Sequence, residues 1–175
     1  MQGLFVLVTM VALWAEPAEL PFHYEGLEPK KAGFVELSMM DQERNEYATS
    51  LVRIALAGVH EGKASEASLE RARKLMALAL HLSPRNREGL VANYQLKRGL
   101  LPEKKEADYS EAVFAKLLMT RAKLLKESEG ENDRLLGRCF VELAAELDPR
   151  NEDAIYLSET QRLDEGPVDW SQLTD

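Results

Sequence analysis

Two short segments that lie 65 positions apart carry the same order of helix end, proline and helix start. Residues 82–90 read LSPRNREGL and residues 147–155 read LDPRNEDAI. In each copy a proline, Pro84 or Pro149, ends one helix, and an asparagine two positions later, Asn86 or Asn151, is placed to cap the next helix. A repeated order of helix end, proline and helix N-cap is typical of chains in which similar helical units stack on each other.

The rest of the chain from Ser38 onward also has helical periodicity. Apolar residues recur at intervals of three and four, and the alternation that marks strands is absent. About six helices and an all-α fold are therefore predicted. Their expected first turns are at Ser38-x-x-Asp41, Ser65, Asn86, Asp108-x-x-Glu111, Asn132 or Asp133, and Asn151. Their expected ends are near Gly58 and Gly62, Pro84, Gly99, Gly130, Pro149 and Gly166-Pro167.

The apolar positions also predict which face of each helix is buried. On the third helix the expected inner residues are Leu90, Val91, Tyr94 and Leu96. Arg121 interrupts the apolar stripe of the fourth helix. Its side chain either extends to water, pairs with a carboxylate on a neighbouring helix, or serves in binding.

The second helix of each unit has small, large and small residues at fixed distances before its proline. They are Ala72, Met76 and Ala79 before Pro84, and Gly137, Val141 and Ala144 before Pro149. In this respect residues 65–98 and 131–164 resemble the tetratricopeptide-repeat family, in which the small residues let neighbouring helices approach closely. The first helix of each repeat departs from the family, because Asn93-Tyr94 and Ser158-Glu159 stand where Leu-Gly is usual. The expected architecture is a short, degenerate tetratricopeptide-like solenoid, with an ordinary helical bundle as the alternative.

The resemblance implies that the chain binds another protein. In tetratricopeptide proteins the first helices of the repeats line a concave groove that holds an extended peptide or a partner helix. Val91, Gln95 and Arg98, with Tyr156 and Thr160, are the residues expected on that groove. The Lys/Asn/Arg clamp of the chaperone-binding members is not recognisable, so a chaperone C-terminal peptide is not predicted.

Residues 1–15 form a separate apolar segment. Residues 3–15, GLFVLVTMVALWA, carry no charge and would rise about 20 Å as a helix, short of the ~30 Å hydrocarbon core of a bilayer. This length suits a signal peptide cleaved before Glu16, so export to the periplasm or secretion is predicted. A buried N-terminal helix or strand of a cytoplasmic protein is the alternative, and an uncleaved segment would be the predicted membrane contact.

Three further regions follow this segment. Prolines at positions 17, 21 and 29 make residues 16–37 an extended linker, with Phe22, Tyr24 and Phe34 as anchors on the helical body. Residues 38–166 are the predicted helical domain, and residues 167–175 are a short acidic tail.

The net charge of −8 argues against a nucleic-acid partner, since such binding needs a basic face. Most of the excess lies in residues 127–175, which carry 14 acidic and 4 basic side chains. This region is either a solvated surface or a patch for a basic partner.

No residue pattern predicts a catalytic site, a metal site or a cofactor. His23, His60 and His81 lack the helical spacing of metal ligands, and the single cysteine, Cys139, is expected to be a buried thiol. The sequence therefore predicts a non-catalytic, exported scaffold or adaptor protein. A subunit of a larger assembly or homo-oligomer is the second hypothesis, and an enzyme with a site around His60 or Glu142 is the third.

Overall fold

The computed structural model describes residues 22–28 and 37–173. Within these ranges the chain is all-α, as predicted, and contains no strand. The helices are α1 (Asp41–Glu61), α2 (Glu66–Leu82), α3 (Arg87–Lys97), α4 (Glu111–Lys126), α5 (Glu131–Leu147) and α6 (Glu152–Glu165), followed by a 3-10 helix, Trp170–Leu173. None of the helices in these residues is both long and apolar enough to span a bilayer. Phe34 and residues 1–15 lie outside the described residues.

The two proline corners have the same conformation. α5 begins and ends 65 positions after α2. The residues before the prolines, Ser83 and Asp148, have φ/ψ of −140°/86° and −130°/82°, in the extended region that a following proline favours. The side chains of Asn86 and Asn151 each accept the N–H three residues on, at 2.8 and 3.1 Å. The predicted repeat of helix end and N-cap is therefore confirmed at both corners.

The six helices form two three-helix units. In the first unit α1 packs along α2, and α3 contacts both of them. In the second unit α4 packs along α5, and α6 contacts α5. The predicted apolar stripes of α2 and α5 are buried, and so are their small residues Ala72 and Gly137. Amphipathic helices with one such stripe gain most of their stability from this packing.

An aromatic cluster joins the two units. The ring of Tyr47 on α1 lies 5.6 Å from that of Phe114 on α4 and 5.8 Å from that of Phe140 on α5. Both phenylalanines are fully buried. Burying a side chain of this size contributes about 2–3 kcal/mol, so this cluster is a major part of the core between the units.

Ion pairs also join helices of the two units. Arg121 on α4 donates from Nε to Glu43 Oε1 of α1 at 2.7 Å, and a second hydrogen bond joins its Nη2 to the same carboxylate. This confirms the second of the three roles considered for Arg121, a pair with a neighbouring helix. Hydrogen bonding to Glu43 raises the pKa of Arg121 further above its ordinary value. Lys74 on α2 makes a similar contact with Glu142 on α5, at 2.6 Å.

Three predicted helix starts are wrong because the capping side chains have tertiary partners. Ser38 does not cap α1; its N–H and hydroxyl donate to the carboxylate of Asp133, at 3.0 and 2.6 Å. Asp133 consequently does not cap α5, and Gly130 occupies that position. Asp108 accepts from Arg53 at 2.9 Å, and Ser110 is the N-cap of α4. Local capping motifs are weak, about 1 kcal/mol each, so a charged partner elsewhere outcompetes them.

Of the four inner residues predicted for α3, only Leu96 is buried. Val91 and Tyr94 are 50% and 58% exposed, and Leu90 is exposed too. The buried residues of α3 are Gly89, Ala92, Asn93 and Leu96. Gly89 allows α3 to approach Val52 of α1 and Leu80 of α2. Asn93 contacts the extended segment of residues 22–28.

Candidate functional site

Val91 and Gln95, two of the residues expected on a groove, do line one. This groove has a volume of about 450 Å³ and lies between α3, Leu56 of α1 and Pro102 of the loop that follows α3. Arg98 is placed differently, because its guanidinium stacks 5.1 Å from the ring centroid of Tyr94. The groove is open and of mixed polarity, which suits a polypeptide segment.

Tyr156 and Thr160 are not part of that groove. Both lie on α6, which packs on α5 in the other unit. Tyr156 is 74% exposed and Leu163, on the same helix, is 78% exposed. The Thr160 hydroxyl donates to the carbonyl of Tyr156 at 2.8 Å, within the helix. The sequence-predicted residues therefore form two separate surfaces.

A second site lies on α2 and α3 and is occupied by residues 22–28; the sequence analysis predicted apolar anchors in this segment but not the helix residues that hold it. This segment has no regular secondary structure. The buried amide of Asn93 accepts the N–H of Leu27 at 3.0 Å and donates to the carbonyl of Leu27 at 2.9 Å. We call this contact surface the α2/α3 groove, defined by Arg73, Asn93 and Lys97.

Two basic residues hold the segment on either side of Asn93. Arg73 Nε donates to the carbonyl of Glu25 at 3.2 Å, and Lys97 Nζ donates to the carboxylate of Glu28 at 2.7 Å. The hydrogen bond from Lys97 holds the pKa of Glu28 below its ordinary value. A Cβ at Gly26 would lie 2.6 Å from Lys97 Cδ, so glycine permits this close approach. The groove thus recognises both the main chain and the acidic charge of the segment.

Tyr24 and Leu27 are the apolar anchors of the segment, each only 5% exposed. This confirms the prediction for Tyr24, and Phe22 is half-buried against the same core. The Tyr24 hydroxyl is buried and forms no hydrogen bond with any described residue. Burial raises the pKa of Tyr24 well above its ordinary value, which keeps the phenol neutral.

The segment after α6 crosses the equivalent position of the second unit. Arg138, 65 positions after Arg73, donates from Nη2 to the carbonyl of Gly166 at 2.7 Å. The indole N–H of Trp170 donates to Glu142 at 2.8 Å, and Lys74 Nζ lies 4.3 Å from the ring centroid of Trp170. The predicted acidic tail is therefore packed against the helices up to residue 173.

The residues considered for an enzyme site do not come together. His60 Nε2 lies 2.7 Å from the carbonyl of Pro102 and so acts as a donor to it. Glu142 on α5 holds Lys74 and Trp170, and the cavity that Glu142 lines does not include His60. Each of the two residues has a structural partner in the described part of the chain.

Cys139 is fully buried, as predicted. Burial, reinforced by nearby Glu142, raises the pKa of the thiol to about 12. A thiol in this state is a poor nucleophile. Within residues 22–28 and 37–173, no group of three or more His, Cys, Asp or Glu side chains is placed to hold a metal ion.

No protein-family model matches the chain, and no match was found among curated proteins or among solved structures. The geometry of the two grooves is therefore the basis for a functional assignment.

Proposed function

We propose that this chain is a non-catalytic protein–protein interaction module, of tetratricopeptide-like type, that binds extended polypeptide segments. The observation that supports it is the pair of hydrogen bonds between Asn93 and Leu27. A side-chain amide that pairs with both main-chain groups of one residue recognises an extended chain of any sequence. Apolar anchors and flanking charges then supply specificity.

The chemistry of residues 22–28 describes the ligand this groove suits. It needs a main-chain N–H and C=O opposite Asn93, two apolar side chains spaced as Tyr24 and Leu27 are, and carboxylates near Arg73 and Lys97. In this proposal, residues 22–28 occupy the groove as an internal ligand. The separate groove at Val91 and Gln95 offers a second surface for a scaffold or adaptor.

The experiment measures binding of a fluorescein-labelled peptide of residues 22–28 to the full chain. Leu27→Asp would bury a charge and so weakens the binding of the internal segment to the groove. Because this segment competes with the labelled peptide, the peptide is expected to bind the variant more tightly than the unmodified chain. Adding Asn93→Ala to Leu27→Asp is expected to abolish binding, whereas adding Gln95→Ala, on another face of α3, is expected to preserve it. Binding that is insensitive to Asn93 would refute the proposal.

A subunit role is the second candidate, and the exposure of Tyr156 and Leu163 on α6 favours it. Large apolar side chains at the open end of a helical array are commonly covered by another chain. Sedimentation of the full chain against a Leu163→Lys variant tests it. This role is supported if the unmodified chain forms a concentration-dependent oligomer and Leu163→Lys dissociates it. A monomer at every concentration eliminates the role.

Export is proposed from the apolar residues 3–15 together with Leu13 and Ala15 before Glu16. Mass spectrometry of the natively expressed protein tests this step. A mature N-terminus at Glu16 supports cleavage and export, and an intact N-terminus in a cytoplasmic fraction contradicts it.

A further inference from the structure

A cavity of about 360 Å³ opens between α4, α5 and α6. Its floor is apolar and is formed by Ala122, Gly137, Val141 and Leu157. Its rim carries the basic residues Lys123, Lys126, Arg134 and Arg138. We call this cavity and its rim the basic cleft.

The rim of the basic cleft is positively charged, although the chain as a whole is negatively charged. The whole protein has a net charge of −8, and residues 127–175 contain only four basic side chains. Two of those four, Arg134 and Arg138, lie on this cleft, together with Lys123 and Lys126, against one acidic lining residue, Glu165. A concentration of positive charge around an apolar floor attracts an anionic ligand that has an apolar part.

The basic side chains are only partly satisfied within the chain. Lys123, Lys126 and Arg134 form no ion pair with any described residue. Arg138 is the exception, because it donates from Nη2 to the carbonyl of Gly166 and its Nε forms an ion pair with the carboxylate of Glu165 at 3.6 Å. Three of the four basic side chains of the rim are therefore free to pair with a ligand carboxylate.

The residues that line the basic cleft are not repeated in the first unit. The positions equivalent to Arg134, Gly137, Val141 and Gln161 are Leu69, Ala72, Met76 and Leu96, 65 positions earlier. All four are buried apolar side chains of the core. Packing alone would favour the same apolar residues in the second unit. Arg134 and Gln161 therefore make the lining of the cleft polar at two positions where the first unit has core leucines.

We propose that the basic cleft docks an acidic linear segment of a partner protein. One apolar side chain of that segment fills the floor at Gly137, Val141 and Leu157. The flanking carboxylates pair with Lys123, Lys126 and Arg134 of the rim. The volume of about 360 Å³ suits one large side chain with its adjacent main chain. The inference rests on the proposed function in that the ligand is a polypeptide, but it uses a different site from the α2/α3 groove.

Fluorescence anisotropy of the full-length chain tests the basic cleft. The probe is a fluorescein-labelled heptapeptide of six glutamates around a central leucine, and a heptapeptide of six lysines around leucine is the charge control. We expect saturable binding of the acidic peptide that weakens as salt is raised, and no saturable binding of the basic one. Equal binding of single-stranded DNA would overturn the proposal in favour of a nucleic-acid surface.

Two matched variants locate the binding. Lys123→Glu combined with Lys126→Glu reverses two exposed charges of the rim. This double variant is expected to bind the acidic peptide about tenfold or more weakly than the unmodified chain. Lys116→Glu, an exposed lysine on the same helix α4 but outside the cleft, is expected to change the affinity less than about twofold. Similar affinities for both variants would overturn the proposal, and so would a failure of the acidic peptide to bind the unmodified chain.

Amide chemical shifts provide a readout that does not depend on variants. The acidic peptide is expected to shift the amides of Gly137 and Arg138 and to leave that of Asn93 unchanged. Shifts centred on Asn93 would place the peptide in the α2/α3 groove, which would refute the basic cleft while supporting the proposed function. Loss of peptide binding in Asn93→Ala would have the same meaning.

Discussion

Asn93 and Leu27 are joined by two hydrogen bonds, although they lie 66 residues apart in the chain. The amide of Asn93 forms hydrogen bonds with both the N–H and the C=O of Leu27, as a neighbouring strand in a sheet would. Because both partners are buried, no water replaces these bonds while the segment stays in place. Asn93 therefore fixes the main chain of residues 22–28 at Leu27.

Replacing Asn93 by alanine is expected to destabilise the chain by about 2–4 kcal/mol, because it leaves the N–H and C=O of Leu27 buried without partners. Urea unfolding measures this change, and hydrogen exchange at the Leu27 amide is expected to become fast. Gln95→Ala on the same helix is the control and is expected to stay within about 0.5 kcal/mol of the unmodified chain. Unchanged protection of the Leu27 amide in Asn93→Ala would contradict the role of this side chain.

The two equivalent N-caps are expected to differ in strength. Asn86 is buried and also donates from Nδ2 to Asn45 Oδ1 and Thr49 Oγ1, both at 2.9 Å. Asn151 caps α6, and its side chain forms no further hydrogen bond with a described residue. Asn86→Ala is expected to lower the free energy of unfolding by about 2–3 kcal/mol, and Asn151→Ala by about 1 kcal/mol. Urea unfolding measures both changes. Equal losses would show that the contacts of Asn86 with α1 add nothing to its cap.

The pair between Arg121 and Glu43 is expected to couple the two units energetically. Their side chains are 19% and 20% exposed, so removing one partner leaves a largely buried charge. Arg121→Met or Glu43→Gln alone is expected to cost about 2–3 kcal/mol. A double-mutant cycle is expected to return a coupling of about 1–2 kcal/mol. The exposed pair Arg162–Glu159 on α6 is the control, for which the same cycle is expected to show no measurable coupling.

The thiol of Cys139 is expected to be unreactive in the folded chain. It is fully buried, and its pKa of about 12 leaves almost no thiolate at neutral pH. Titration with a chromogenic disulfide is expected to show no reaction at neutral pH without denaturant and one thiol per chain in concentrated urea. Fast stoichiometric labelling of the folded protein would mean that the α5 stripe opens readily.

Asp133 is expected to make stability depend on pH in the acid range. Burial opposes its ionisation, but hydrogen bonds from Ser128 and Ser38 together outweigh burial and hold its pKa below the ordinary value. A depressed pKa in the folded chain contributes stability above the unfolded pKa of about 3.9, and this contribution is lost as the pH falls through the folded pKa. Unfolding measured from pH 6 to pH 2.5, about one unit or more on each side of that value, is expected to show this loss.

Asp133→Asn is the matched variant for the acid range. An amide does not titrate, so the difference in stability between this variant and the unmodified chain is expected to shrink as the pH falls. A difference that is constant with pH would show that the carboxylate of Asp133 has the same pKa in the folded and unfolded chains.

Much of the fold could be predicted because it depends on local properties of the chain. Pro84 and Pro149 end helices by their own covalent geometry, and Asn86 and Asn151 cap the next helices by reaching only three residues ahead. The apolar stripes of α2 and α5 have a period that alone selects a helix and its buried face. These features require no knowledge of what the helices pack against.

The starts of α1, α4 and α5 could not be predicted in the same way. The motif at Ser38 has the residues of a capping box, yet Ser38 binds Asp133, 95 residues later. A local motif and a distant carboxylate compete for the same hydroxyl, and sequence spacing shows only the first of them. The buried face of α3 could not be predicted for a related reason, since residues 22–28, which cover Asn93, lie more than 60 positions earlier in the chain.

The amino-acid sequence by itself determined that this protein is helical, that helices end at Pro84 and Pro149, and that Asn86 and Asn151 cap the next helices. Those properties arise from interactions within about one helical turn. Only the tertiary structure decided that Asn93 holds Leu27, that Arg121 pairs with Glu43, and that basic side chains of α4 and α5 surround one cavity. Each of these depends on which distant residues come within hydrogen-bond or ion-pair distance, and that is determined by the packing of the helices.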